Sequence, residues 1–361
     1  MSEHTLNIDT LIREAIDLLQ ALIRVPSFSG EENESSRIID QYLQKYDIQT
    51  HKKGNNVWAR NAYFHSGLPT LLLNSHLDTV RPNKGWTRDP FEPMVEDGTL
   101  YGLGSNDAGG PLVSLIATFL FYYDNEDLPY NLVLAATAEE ETSGPNGISS
   151  ILPDLPPLDL AIVGEPSGMT ITVAERGHIV LEVTARGRSG HAARDEGINA
   201  INKALEDIRW FQTYEFPRES DLLGAVKMSI TMIQGGIQAN VIPDTCTFVV
   251  DIRVPDVYTN EEILEVIREH VVGEVREVSR SLKSSRLPDD HPLIHAARGT
   301  GLEFTASPTS SDQGLLDVAS IKIGPGESER SHTADEFIRL SEIDRGIREF
   351  IRLLEHLDTL L

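Results

Sequence analysis

Residues Thr70–Val80 read "TLLLNSHLDTV", and the reading of this stretch decides the fold. Its first half is apolar at consecutive positions, which suits a strand covered on both faces better than a strand with one wet face. The run then ends on a histidine and an aspartate two residues apart. Side chains alternate along a strand, so His76 and Asp78 share one side at the strand's C-terminal end. That is the edge at which open α/β sheets place ligands. A histidine beside an aspartate is also what a buried, hydrogen-bonded structural pair looks like, so HLD needs company before it marks a site.

Working outward, the neighbouring segments support an α/β sheet. Apolar residues recur at helical spacing from Ile8 to Val25 (Ile8, Leu11, Ile12, Ala15, Leu18, Leu19, Leu22), which predicts an amphipathic helix stopped by Pro26. "VWARNAYF" and "LPTLLLNSHL" read as strands, "GGPLVSLIATFLFYY" as a buried helix, and "YNLVLAATA" and "LDLAIVGEP" as two more inner strands. "LSEIDRGIREFIRLLEHL" predicts a C-terminal amphipathic helix. Between about Glu175 and Ser285 the pattern changes. "HIVLEVTAR", "AVKMSITMI", "TCTFVVDIRV" and "EVREVSRS" read as strands, interleaved with the helices "GINAINKALEDIRWF" and "NEEILEVIREHV". The order β-α-β-β-α-β is the split βαβ arrangement of ferredoxin-like domains. The chain therefore reads as a larger α/β domain, 1–174 and 286–361, with a small domain, 175–285, inserted in it.

Composition narrows the function. The formal net charge is −25 over 361 residues. Nucleic acid and anionic membranes require clustered Lys and Arg, so neither is an expected partner. The acidity tolerates a cationic substrate and is explained equally by solubility. No run approaches a membrane span, and "MSEHTLNIDTLIREAI" lacks the basic flank and apolar centre of a signal peptide, so a cytoplasmic location is expected. The single cysteine, Cys246, excludes an internal disulfide and thiolate metal sites, and its alternating context predicts a small core residue.

The company that HLD needs stands at similar strand ends. "YGLGSNDAGG" places Asp107 in a glycine-flanked turn before the buried helix. "AATAEEETSG" places Glu139, Glu140 and Glu141 after one inner strand, and "AIVGEPSG" places Glu165 after another. Any one of these acids, taken alone, reads more readily as a solvated loop residue or a helix cap. That reading weakens when several strand ends supply carboxylates to one edge, because adjacent glutamates repel unless a cation or a bound proton relieves them. "GPGESERSHTADEF" adds His332, which could otherwise be a surface loop histidine. Two histidines with several carboxylates and no cysteine suit a catalytic zinc, cobalt or manganese site. Paired divalent ions activate a water and stabilise a developing oxyanion, and a spare glutamate can carry the water's proton to a leaving amine. Amide hydrolysis is the expected reaction.

These motifs resemble the co-catalytic di-zinc amidohydrolases that include acetylornithine deacetylase, succinyl-diaminopimelate desuccinylase, aminoacylase and carboxypeptidase G. HLD, GSND, EEE, VGEP, SGHAAR, ANVIPD, DIRVP and GPG with a following SH occur in family order along the whole chain. The resemblance implies a di-zinc exopeptidase-like catalytic domain with an inserted lid and dimerisation domain. It implies that His76 and Glu165 bind one metal, Glu141 and His332 the other, and Asp107 bridges them. Asp78 would orient His76, and Glu140 would be the general base. The family triplet usually begins with Asp, so Glu139 stands in that place. A register slipped by one would exchange base and ligand. The peptide after Asp107 is expected to be cis. His191 would reach across a homodimer to the partner's oxyanion, although by position alone it reads equally as a loop histidine. Asn240 and Arg253 match substrate contacts. Each could instead be structural, with Arg253 capping its strand end.

The metal residues are shared by all these activities and do not choose among them. "ASPTSSDQGLLD" (306–317) and the segment 324–337 resemble the short acetylornithine deacetylase-like enzymes of arginine biosynthesis, including those acting on N-acetylcitrulline or N-succinylornithine. Asp312 or Glu327 could meet a cationic side chain, although as exposed loop acids the favoured reading is that they do not. The competing readings are a succinyl-diaminopimelate desuccinylase, a dipeptidase, and a metal-containing binding protein without catalysis.

Overall fold

The computed structural model describes residues 7–194, 196–278 and 282–358. The chain divides into two compact units, Met1–Val173 with Leu287–Thr305 and Ser311–Leu361, and Ala174–Arg286 with Ala306–Ser310.

In the first unit, Thr70–His76 is a central strand, parallel to Asn131–Thr137 on one side and to Leu160–Val163 on the other. Ala319–Lys322 continues the parallel set beside Leu160–Val163, and Asn56–Arg60 and Thr50–Lys53 extend the sheet antiparallel at the opposite edge. All of Thr70–His76 is buried. The reason lies in its consecutive leucines. Leu71 and Leu73 pack into the core formed with the helices Ile8–Ile23, Gly110–Tyr122 and Leu340–Asp358, while Leu72 faces Trp58, Val133, Ile148 and Ile151 on the other side. Burying one such side chain contributes about 1.5–3 kcal/mol, so a one-residue slip, which would exchange both faces at once, is strongly disfavoured. The strand's end is thereby fixed.

The expected strand at "VWARNAYF" is shorter than its sequence suggests. It ends at Arg60: Asn61 N–H still donates to the Leu132 oxygen at 3.0 Å, but the return bond from Leu132 N–H goes to the Asn61 side-chain oxygen at 3.0 Å instead of to the backbone.

The second unit carries a four-stranded antiparallel sheet in the spatial order Lys227–Gly235, Thr245–Val254, Gly177–Arg186, Glu274–Glu277. With the helices Ala200–Thr213 and Asn260–His270 this is the ferredoxin-like arrangement. Alternation does the sorting: Ile179, Leu181 and Val183 stand beside their cross-strand partners Ile252, Val250 and Phe248 on the face that the helices cover, and Cys246 is buried among them. Thr259 and Glu262 form a reciprocal cap at the start of the second helix. Among the described residues, no helix is long and apolar enough to cross a membrane.

Candidate metal centre

Three parallel strands end at one edge, and the residues that follow them converge. His76 is the last residue of its strand and lies opposite Thr137, the last of its neighbour. The glutamates 139–141 follow Thr137 after Ala138, and Glu165 follows the strand Leu160–Val163 by two residues. Asp107 comes from the turn Ser105–Gly109, which leaves helical geometry at Asp107 itself (φ −115, ψ 103) before leading into the buried helix. Gly104 opens that turn at φ +73, where a Cβ would stand 2.5 Å from the Thr79 side chain, so glycine is required. The Asp107–Ala108 peptide is cis.

Asp107 sits between two groups of ligands. One oxygen, Oδ1, is 3.2 Å from His76 Nε2, and the other, Oδ2, is 3.6 Å from His332 Nε2. Glu165 Oε1 lies 3.8 Å from His76 Nε2, and Glu141 Oε2 lies 2.9 Å from His332 Nε2. His76, Asp107 and Glu165 form one group able to hold a cation, and Asp107, Glu141 and His332 form the other. Glu140 belongs to neither, yet its Oε2 is 3.9 Å from His76 Nε2. Glu139 turns away and accepts from Asn146 through both its carboxylate oxygens.

The charge balance fits divalent ions. Burial pushes the Glu140 carboxyl well up, with help from Glu165, Asp312 and Glu141 and against the pull of His76. Burial also raises Glu165 to about 8, with Asp107 and Glu141 adding to it and His76 and Lys322 opposing. Burial alone would push the His76 ring down, but the Glu165 charge and hydrogen bonds with Asp107 and Asp78 outweigh it and hold the ring well up. The hydrogen bond to Glu141 lifts His332 to about 9. Four carboxylates thus compete for positive charge that two imidazoles supply only in part, and a hard or borderline cation with mixed oxygen and nitrogen donors relieves that repulsion.

Asp78 does more than the sequence suggested. His76 Nδ1–H donates to the Asp78 main-chain oxygen at 2.9 Å, which leaves Nε2 free to face a cation. The Asp78 carboxylate is 3.4 Å from the same nitrogen. Its stronger bonds lie elsewhere: Oδ1 accepts Glu140 N–H at 3.0 Å, and Oδ2 accepts Glu141 N–H at 3.2 Å and Ser29 Oγ–H at 2.7 Å. The buried Glu32 takes the preceding N–H, that of Glu139, at 3.2 Å. The glutamate turn is therefore held by carboxylates behind it.

Asp312 corrects an expectation. It is 3% exposed rather than a loop acid, and Oδ2 accepts from Thr137 Oγ1 at 2.8 Å and Asn74 Nδ2 at 3.0 Å. Burial raises it to about 6 against those two bonds. It faces the core of the sheet and cannot greet a substrate's side chain. Glu327 is half-buried, and its backbone is pinned by Asn106 through a reciprocal pair of hydrogen bonds at 2.9 and 3.0 Å.

The remaining predicted residues belong to the second unit. His191 is exposed on a two-residue strand paired with Val241–Ile242, and Ala192 N–H donates to the Asn240 oxygen at 3.0 Å, so His191 and Asn240 share one corner. Arg253 is engaged internally: Nε and Nη2 donate to Asp251 at 2.8 and 3.1 Å, and the same carboxylate meets His178 Nε2 at 2.8 Å. Sequence reasoning missed Glu32, Ser29 and Glu336, single polar residues without periodicity or a motif spacing of their own.

Comparison with known proteins follows the same lines. Residues 72–356 match the profile of peptidase family M20/M25/M40. The acetylornithine deacetylase of Proteus mirabilis is 27% identical, covering 91% of this chain and 93% of its own. A succinyl-diaminopimelate desuccinylase of Ruegeria sp. is 27% identical, over 71% of this chain and 69% of its own. Among solved structures, an M20 family metallo-carboxypeptidase from Sulfolobus solfataricus superposes with a TM-score of 0.78 at 17% identity, covering 96% of this chain and all of that one. A dinuclear metal-binding M20 peptidase of Bacillus subtilis gives a TM-score of 0.70 at 16% identity, covering 98% of this chain and 100% of its own. Motif order, fold and profile agree: the chain is an amide-bond hydrolase belonging to peptidase family M20/M25/M40.

Proposed function

We propose that this protein hydrolyses the amide bond of an N-acylated amino acid, as an N-acetylornithine deacetylase or a close variant acting on N-acetylcitrulline or N-succinylornithine in arginine biosynthesis. One observation carries the reading: Asp107 directs its two oxygens to two different histidines, each with its own partner glutamate. In this reading His76 and Glu165 hold one divalent ion, Glu141 and His332 hold the other, and Asp107 belongs to both. Zinc suits the donors best, with cobalt or manganese as substitutes. Bound there, the ions would polarise the scissile carbonyl and make water a nucleophile at neutral pH.

The chain's own residues do the rest. Glu140 takes a proton from the attacking water as its oxygen bonds to the carbonyl carbon. It delivers that proton to the leaving nitrogen as the C–N bond breaks, giving a carboxylic acid and an amine, and the acid's proton then passes to the amine or to solvent. Asp78 fixes the backbone that carries Glu140 and Glu141. In a homodimer formed through the small domain, His191 would donate to the oxyanion in the partner's site, a preorganised donor where charge develops. Asn240 and Arg253 would contact the substrate; the bond to Asp251 leaves Arg253 less free than Asn240 to do so. A cytoplasmic location accords with this role.

The names of the curated relatives support the substrate class, and the presence of a desuccinylase among them keeps succinyl-diaminopimelate as the second reading. The test is amine release from N-acetylornithine, N-acetylcitrulline, N-succinylornithine, N-succinyl-diaminopimelate and dipeptides after loading with zinc or cobalt. Preference for an acylated ornithine or citrulline is the expected result. Preference for the diaminopimelate compound or for dipeptides would retain the mechanism and reject the substrate.

A further inference from the structure

Glu336 lies four residues beyond His332 and is 1% exposed. Its carboxylate grips the turn that presents Asp107. Oε1 accepts the backbone N–H of Asn106 at 2.8 Å and of Asp107 itself at 2.9 Å, and Oε2 accepts that of Gly104 at 3.0 Å. Its own main-chain oxygen takes Gly102 N–H at 3.0 Å, where the short strand Phe337–Arg339 starts its pairing with Thr99–Tyr101. A buried carboxylate is costly, and here it is met by main-chain N–H groups that all belong to one turn. A neutral cap would have satisfied such a turn at lower cost.

We propose that Glu336 is a positioning residue. It sets the Asp107 carboxylate at the height needed to serve both ion sites and ties it to the loop that carries His332. Asp107 and His332 lie more than two hundred residues apart in sequence, yet the same short segment of chain holds both. Glu336 touches neither substrate nor reacting atoms and acts through Asp107. The inference rests on the reading of Asp107 and His332 as ligands.

The test is a cobalt titration of the metal-free full-length protein, followed by calorimetry and by the visible absorption of bound cobalt. Glu336→Gln keeps the side chain's size and puts an N–H donor where one acceptor oxygen stood. The outer-sphere role predicts a loss of affinity on the order of 10- to 100-fold for the ion that shares Asp107 with His332, together with an altered cobalt spectrum. It also predicts a fall in kcat with KM for N-acetylornithine nearly unchanged. Asp335→Asn is the local control: Asp335 accepts from Thr87 and Arg88, not from the Asp107 turn, so its spectrum should match the wild type. Should Glu336→Gln not fold, Glu336→Asp, which keeps the charge and shortens the reach, carries the same expectation. A folded variant that is less heat-stable yet binds both ions with native affinity and spectrum would reduce Glu336 to a fold clamp and overturn the proposal. His332→Ala separates the two levels, because if it retains both ions the ligand reading itself has failed.

Discussion

Replacing Asp78 tests whether this aspartate serves one histidine or the whole glutamate turn. Its carboxylate is 1% exposed and accepts from two backbone N–H groups and one hydroxyl. Asp78→Ala strands all of these donors in a buried setting, and at about 1–3 kcal/mol for each unsatisfied group the cost is roughly 3–6 kcal/mol after partial relaxation. That is a large share of the roughly 5–15 kcal/mol that holds a folded domain together. Asp78→Asn is gentler. It keeps one acceptor oxygen and turns an amide N–H toward a backbone N–H, for a loss of about 1–3 kcal/mol. Urea unfolding with an unchanged m value reads the stability, and zinc titration with kcat reads the site. Because Glu140 and Glu141 hang on Asp78, Asp78→Asn should lower kcat and weaken the ion held by Glu141 and His332. A variant that keeps wild-type stability and kcat, or that weakens only the ion on His76, would refute the reasoning and return Asp78 to the role of a histidine partner.

Three further outcomes follow. Glu140→Gln should lower kcat by about 10²-fold or more with both ions retained by elemental analysis, whereas loss of an ion would show that base and ligand are exchanged within the glutamate triplet. His191→Ala should keep both ions and run as a dimer in light scattering while losing most activity; an active monomer would dismiss the role across subunits. Burial pushes the Glu342 carboxyl up, but the paired hydrogen bonds from Arg330, the Arg339 N–H and the charges of both arginines hold it below the usual range. A lowered folded value means the contribution is fully present above the unfolded carboxyl pKa of about 4.3 and is lost as pH falls through the folded value. Arg330→Ala should thus cost about 1.5 kcal/mol near neutrality and flatten the acid limb of a stability profile below about pH 5, and an unchanged limb would contradict the pairing.

Much of the fold was legible because its signals are local. The doubled apolar faces of Thr70–His76 and Asn131–Thr137 announce inner strands, and the strict alternation of Gly177–Arg186 and Thr245–Val254 announces a sheet covered on one side. Side-chain period then put His76 and Asp78 on one edge. What the sequence did not disclose depends on long-range bonds. Asp312 looks like any loop acid until Thr137 and Asn74 are seen to bury it. The attachment of Asp78 to Glu140 and Glu141 spans more than sixty residues, and Glu32 and Glu336 act through main-chain N–H groups that leave no trace in residue identity. Arg253 has the right chemistry for a substrate carboxylate, and its bond to Asp251, two positions back on its own strand, is a contact that residue type alone did not signal.

The central claim is a two-ion site, with Asp107 shared, that hydrolyses N-acyl amino acids. The most direct test is one titration of metal-free protein with zinc in which bound ions per chain and amine release from N-acetylornithine are read together. The account predicts two ions at saturation, with hydrolysis reaching its plateau as the second site fills. Two ions bound without amine release from any N-acyl amino acid or dipeptide, or full activity with a single ion, would contradict it.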